Sequence, residues 1–294
     1  TEALLGDAVV RPHPRALAVG QDRVAEKELF RRLGMKVPEF RAATTRAELH
    51  TAVAAVGAPC IVKTRRLGYD GRGQRRIQRG DGPAAIDAAF TELTTNYDQG
   101  LVVEAFVPFD RELSVLAVRG HDGAFAAWPL VENVHEHGIL RSSRAPAERL
   151  LPALQRDAEA FVRTLAEQLD YVGVLAVELF EVGGGLMANE MAPRVHNSGH
   201  WTIEGAECSQ FENHVRAVLG LPLGSCRMAL GGSAAMLNLI GTMPDPRRVL
   251  AVPAVHLHDY GKAPRANRKL GHATVVGRDQ RELDDRLAQL RAAL

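Results

Sequence analysis

With 294 residues, the chain exceeds the usual size of a single hydrophobic core, so two or more packed modules are expected. Hydrophobic residues make up 46% of it, which excludes a disordered chain, and no uninterrupted apolar stretch reaches the length of a bilayer span. A formal net charge of +1 supplies no general attraction to nucleic acid or an anionic membrane, so neither is expected as a partner and any anion needs a local site.

In chain order, the first twenty residues read as a linker containing Pro12 and Pro14. Val24, Leu29, Phe30 and Leu33 then fall at roughly helical spacing, with Gly34 as a stop. A helix over residues 46–56 ends at Gly57, and Pro59 precedes the buried strand Cys60-Ile61-Val62, with Lys63 at its end. Residues 64–74 contain Gly68, Gly71 and Gly73, and a helix near 84–93 leads to a strand over 101–106. These elements make a small α/β module with a glycine-rich loop. Beyond Pro108 come strands near 112–118 and 125–128, a helix over 151–169, two strands around Gly183-Gly184-Gly185 and a final helix near 281–294, which together read as a larger α+β module. Cys60, Cys208 and Cys226 are widely separated without metal-type spacing, and no signal-peptide pattern is seen, so a cytoplasmic setting is expected.

Val174 to Phe180 and Leu186 to Met191 read as strands joined by a tight glycine turn. A hairpin symmetric about Gly184 sets Glu178 directly opposite Glu190. Like charges so paired repel, and a bound divalent cation would turn the repulsion into a site. Asn189 adds an oxygen, and an oxygen-only set with few protein ligands suits Mg²⁺. The alternative is a one-residue bulge that leaves both glutamates solvated.

Glycine lets backbone N–H groups converge on phosphate oxygens because no Cβ blocks the approach. Lys63 with Gly68-Tyr69-Asp70-Gly71-Arg72-Gly73-Gln74 offers such a cradle, though without the Gly-Lys-Ser/Thr ending of a Walker loop. A plain hairpin tip, or an RNA-binding patch built on Arg65, Arg66, Tyr69, Arg72, Arg75 and Arg76, are the competing readings.

Several longer motifs narrow the choice. Gly68 to Gln74, Phe106-Val107-Pro108-Phe109-Asp110-Arg111-Glu112-Leu113-Ser114, Pro129 to His135 with Gly138 to Arg141, and above all Asn189-Glu190-Met191-Ala192-Pro193-Arg194-Val195-His196-Asn197-Ser198-Gly199-His200-Trp201 follow one another in a fixed order. In these the chain resembles the N5-carboxyaminoimidazole ribonucleotide synthetases of the ATP-grasp superfamily, from about residue 15 to its end. The resemblance implies an α+β ATP-grasp fold with a linker and connecting helix over 1–40, a lid domain over 41–108 and a larger domain over 109–294. It also implies that Arg23, Lys63, Gly68, Tyr69, Asp70, Gly71, Arg72, Gly73 and Gln74 hold ATP, with Glu104, Ala105, Phe106 and Val107 as the adenine hinge. Glu112 would take the ribose hydroxyls, His135 and Asn189 would line the nucleotide site, and Glu178 and Glu190 would bind Mg²⁺ or Mn²⁺. Tyr69, Asp70, Arg72, Arg194, His196 and Asn197, with Lys262, Arg268 and Lys269, match the ribonucleotide and bicarbonate contacts.

The implied reaction joins bicarbonate to the amine of 5-aminoimidazole ribonucleotide, with cleavage of ATP to ADP and phosphate, through carboxyphosphate. Arg194 is the expected bicarbonate ligand, since a planar guanidinium matches a planar anion, and Asp70 and Arg72 lie in the lid loop beside the reacting groups. His196 is a candidate for proton handling or for a structural hydrogen bond. A homodimer is also implied. Family members usually begin with a Rossmann-like domain bearing a Gly-Gln-Leu signature, and most of that segment is expected to be lacking. Two smaller departures are Leu67, where a second glycine is common, and Ala266-Asn267 in place of Pro-Gly; asparagine tolerates left-handed geometry, so that turn is expected to survive. Another ATP-grasp ligase, or a nucleotide-binding module without turnover, are the alternatives.

Overall fold

The computed structural model describes residues 10–67, 73–95 and 100–294. The chain opens with α1 (Pro14–Gly20) rather than with linker alone. The His13 side chain accepts from the Arg15 N–H, Pro14 occupies the first turn, and Ala16 is fully buried, so packing overrides the two prolines that suggested a connector. Helix α2 (Arg23–Arg32) follows, its N-terminus capped by Asp22, whose carboxylate accepts from the N–H groups of Val24 and Ala25.

A small sheet then forms from β1 (Phe40–Ala43), β2 (Cys60–Thr64), β3 (Gln74–Ile77) and β4 (Leu101–Ala105), in the order β1-β4-β2-β3. Helices α3 (Arg46–Val56) and α4 (Pro83–Thr94) supply its core with Leu49, Ala52, Val53, Ile86, Ala89 and Leu93. Helix α3 starts on a capping box, Thr45 Oγ1 accepting from Glu48 N–H while the Glu48 carboxylate accepts from Thr45 N–H.

The large sheet comprises β5 (Arg111–Arg119), β6 (Phe125–Ala127), β7 (Val131–Glu136), β8 (Ile139–Ala145), β9 (Gly173–Val182), β10 (Gly185–Ala192), β11 (Ser233–Ile240), β12 (Val255–Asp259) and β13 (Lys269–Gly277). Its order is β10-β9-β5-β7-β8-β11-β13-β12, with β6 paired to β5. Strands β7, β8 and β11 to β13 are additions to the elements expected from periodicity; most are short or buried on both faces, where apolar alternation is lost. Helix α5 (Pro152–Gln168) lays Leu154, Ala158, Phe161, Val162 and Leu165 on one face of β5, β9 and β10. On the opposite face sit Trp128, Trp201 and α7 (Gln210–Val218), reached through the one-turn helix α6 (Thr202–Gly205). Helices α8 (Pro246–Leu250) and α9 (Gln280–Ala293) cover the β12–β13 end. Helix α2 and the segment after it close the outer edge of β10, where Ala188 N–H donates to Lys36 O at 2.8 Å.

Candidate active site

The β9–β10 hairpin turns on two residues, Gly183 and Gly184, both with positive φ (55° and 77°), so the turn is not centred on Gly184 alone. From that turn Leu186 pairs with Glu181 and Ala188 with Leu179. Continued without interruption, this register would set Asn189 opposite Glu178 and Glu190 opposite Val177, on the other face. A bulge between Ala188 and Glu190 intervenes, and Glu190 pairs with Glu178. The bulge expected to leave the two glutamates apart is therefore what brings them together. Asn189 and Glu190 both leave the core face, while Ala188 and Met191 on either side remain buried in it.

Burial first, and Glu190's charge second, raise Glu178's proton affinity well above that of an ordinary carboxylate. An oxygen-only pair of this kind fits a hard divalent cation. Among the described residues no cluster of three or more histidines, cysteines or carboxylates has metal-binding geometry, so the remaining ligands of a cation here would be nucleotide phosphates and water.

Next to this pair stands an ion-pair chain. Lys63 Nζ donates to Glu104 Oε2 at 2.8 Å, Lys27 Nζ lies 3.3 Å from Glu104 Oε1, and Lys27 Nζ also donates to Asn189 O at 2.9 Å. Glu104 is buried, a situation that alone would raise its pKa, but the two lysines outweigh this and lower it to about 2. Glu104 thus has a side-chain role beyond the hinge expected of it. Ala105 N–H and Phe106 N–H are taken by Glu39 O and Pro59 O, and Val107 O accepts from Phe109 N–H.

On the same face as Glu178, Glu112 Oε2 accepts from His135 Nδ1 at 2.8 Å; burial works against the imidazolium, but this bond and the charge of Glu178 raise the His135 pKa. Below it runs a buried polar chain. Ser143 Oγ donates to Asn133 Oδ1 (2.7 Å), Asn133 Nδ2 to Ser114 Oγ (3.0 Å), and Ser114 Oγ to Ser198 Oγ (2.8 Å). Ser198 Oγ meets His196 Nδ1 at 2.9 Å, and the ring's Nε2 lies 3.6 Å from Glu178 Oε1. His196 is held neutral, at about 3, by burial and then by the charge of Arg194 and its neighbours. It makes the structural hydrogen bond through one nitrogen and faces the acidic pair with the other.

Arg194 is exposed at the rim, its Nη1 donating to Val195 O. Asn197 and Asn238 exchange amide hydrogen bonds at 2.7 and 3.1 Å. Lys269 stands near enough to Glu178, His135, His196 and His200 for its charge to act on all four, whereas Lys262 lies over the Tyr260 ring and Arg268 Nη1 donates to Ala263 O. Arg23 Nη1 donates to Thr64 O and Leu67 O, which fastens α2 to the end of β2. Of the glycine loop, Gly73 (φ 72°) and Gln74, paired with Lys63, are in place; Gly68, Tyr69, Asp70, Gly71 and Arg72 lie outside the described residues.

Residues 28–211 match the model of the ATP-grasp domain, and residues 234–286 match the phosphoribosylaminoimidazole carboxylase C-terminal domain. The N5-carboxyaminoimidazole ribonucleotide synthase of Pseudomonas aeruginosa is 50% identical over 295 residues, covering 100% of this chain and 79% of that protein. The chain belongs to the N5-carboxyaminoimidazole ribonucleotide synthase family. The crystal structure of the Thermus thermophilus synthetase superposes with a TM-score of 0.90 at 49% identity, over 100% of this chain and 78% of that one. The Aspergillus clavatus synthase, solved in complex with ADP and 5-aminoimidazole ribonucleotide, superposes with a TM-score of 0.88 at 31% identity, over 99% of this chain and 77% of that one.

Against this family background, three features escaped the sequence reading. Glu26 and Lys27 sit in α2 among its apolar positions and are each only 1% exposed. Their signal was faint: two adjacent charges inside an amphipathic helix, with nothing local to name their partners. The third is Asp22, which receives Arg65 Nε (2.8 Å) and Arg66 Nη2 (3.0 Å). Burial opposes its charge, yet these two bonds lower its pKa to about 2. With Arg75 on Glu92 and Arg76 over the Phe106 ring, the arginines of the alternative RNA patch that lie among the described residues are engaged within the fold.

Proposed function

We propose that this chain catalyses the ATP-dependent carboxylation of 5-aminoimidazole ribonucleotide by bicarbonate, with release of ADP and phosphate, in purine biosynthesis. Family membership supports the reaction. The single observation that carries it to these residues is the Glu178–Glu190 pair beside the Lys63–Glu104–Lys27 chain, carboxylates and cations placed together where phosphoryl transfer needs charge neutralisation.

In this reading Lys63, Arg23 and the loop from Gly68 to Gln74 hold the phosphates, the backbone of Glu104, Ala105, Phe106 and Val107 meets adenine, and Glu112 with His135 takes the ribose. Glu178 and Glu190, with Asn189 beside them, hold Mg²⁺ or Mn²⁺, which when bound neutralises charge on the transferred phosphoryl group. Arg194 orients bicarbonate through two parallel N–H donors. His196, neutral and directed by Ser198, presents one ring nitrogen toward the reacting groups. Tyr69, Asp70, Arg72, Asn197, Lys262, Arg268 and Lys269 contact the ribonucleotide. Carboxyphosphate hydrolyses in water, so the reacting groups must be kept from it during turnover. A cytoplasmic homodimer belongs to the same proposal; no helix among the described residues is long and apolar enough to cross a membrane.

The deciding experiment is ADP release with ATP, Mg²⁺ and bicarbonate, run with and without 5-aminoimidazole ribonucleotide. Amine-dependent release is the expected result. Release only with another amine acceptor, or nucleotide binding without release, would replace the proposal by the other ligase or the binding-module reading.

A further inference from the structure

The β10 bulge has its own support. An extra residue in an edge strand turns backbone groups out of the ladder, and here the groups concerned are Asn189 C=O and Met191 N–H. Neither is left to water. Lys27 Nζ donates to Asn189 O at 2.9 Å, and Glu26 Oε1 accepts from Met191 N–H at 2.6 Å. These are consecutive residues of α2, reaching either side of one bulge from 162 and 165 positions away in sequence. Fully buried glutamate and lysine are rare unless paired, and an apolar residue would fill the same volume against the core without the desolvation they suffer. What they add is two directed bonds to the backbone that carries Glu190.

We propose that Glu26 and Lys27 are positioning residues for the acidic pair, holding the β10 bulge in the register that turns Glu190 toward Glu178. This inference rests on the reading of Glu178 and Glu190 as cation ligands. Lys27 extends the device, because its second partner is Glu104, whose other oxygen takes Lys63. A single chain of contacts, Lys63 to Glu104 to Lys27 to Asn189, therefore ties the strand at the nucleotide to the strand at the cation. A displacement of α2 would move both.

The test is Mn²⁺ binding in the presence of a non-hydrolysable ATP analogue, followed by the electron paramagnetic resonance signal of free Mn²⁺, on the full chain. Glu26→Ala and Lys27→Met are each expected to weaken Mn²⁺ binding at least about tenfold. Glu26→Gln, whose amide oxygen still accepts from Met191 N–H, is expected within about twofold of the unaltered protein, which separates the hydrogen bond from the charge. Val162→Ala, a cavity elsewhere in the same core, should lower the melting temperature yet leave Mn²⁺ binding within about twofold. Should Glu26→Ala fail to fold, Glu26→Asp withdraws the carboxylate by one methylene and is expected to show the same weakening. Mn²⁺ affinity within about twofold of unaltered in the folded Glu26 and Lys27 variants, or Glu26→Gln as weak as Glu26→Ala, would overturn the proposal. Glu190→Gln separates the two readings. Loss of binding there with none in the α2 variants sinks this inference alone, whereas normal binding by Glu190→Gln removes the acidic-pair reading and this inference with it.

Discussion

Glu190 faces Glu178 because Asn189 is an extra residue in β10 and breaks the register set by the Gly183-Gly184 turn. Two carboxylates so paired repel one another in the absence of a cation, on the scale of cross-strand pair energies, roughly 0.2 to 1 kcal/mol. Either Glu178→Gln or Glu190→Gln should therefore raise the stability of the metal-free protein by about that amount. The same variants should lose ATP turnover by about 100-fold or more. Urea unfolding without divalent cation and steady-state ADP release measure the two effects, and a variant that loses both stability and activity would contradict the site.

Glu104 gives the protein an acid-sensitive joint between α2 and the small sheet. Its folded pKa, about 2, lies below the ordinary value of 4.5, held there by Lys27 and Lys63 against the opposing effect of burial. A depressed carboxylate contributes stability that is fully present above pH 4.5 and is lost as the pH falls toward 2, on the order of 3 kcal/mol in all. Glu104→Gln should be less stable at pH 7 and should show a flatter decline in stability between pH 4.5 and 2. Chemical unfolding across that window reads both slopes.

Arg194 is exposed, and its guanidinium donates to the neighbouring Val195 carbonyl, so its removal should not disturb the fold. Arg194→Ala is expected to abolish amine-dependent ATP turnover while the equilibrium Kd for ATP stays within about threefold. Arg194→Lys, which cannot present two parallel donors, should recover little of the loss. Activity near that of the unaltered protein in the alanine variant would refute its role as the bicarbonate ligand.

Leu67 has a φ of 63° and a 61% exposed side chain, so a left-handed backbone is imposed on a residue that gains little from packing. The conformation is held by its carbonyl, which accepts from Arg23 Nη1 and Thr64 Oγ1. Leu67→Gly should be neutral or stabilising by up to about 1 kcal/mol, and the β-branched Leu67→Val should cost about 1 to 2 kcal/mol. Thermal unfolding of the pair provides the comparison; equal effects would mean that backbone strain is not what distinguishes them. Asn267, the other departure from the family pattern, adopts a φ of 62°, as expected of an asparagine that keeps the turn.

Much of the site was legible along the chain. A lysine at the end of a buried strand, glycines in the following loop, and two glutamates flanking a glycine turn are local patterns, and local patterns follow from backbone sterics and side-chain period. The long motif from Asn189 to Trp201 carried the family. Even the bulge left a trace, since the buried positions step from Leu186 and Ala188 to Met191 and so change phase at Asn189 and Glu190. A bulge stood as the alternative to the carboxylate pair because register depends on what lies beside the strand, and nothing within the hairpin names it. Only the tertiary structure brings α2 to the edge of β10 and sets Glu26 on Met191 and Lys27 on Asn189. The turn and the charges were determined by the sequence of the hairpin itself; which face Glu190 takes was decided by buried hydrogen bonds from residues more than 160 positions away, whose energy exists only once the helix and the strand have met.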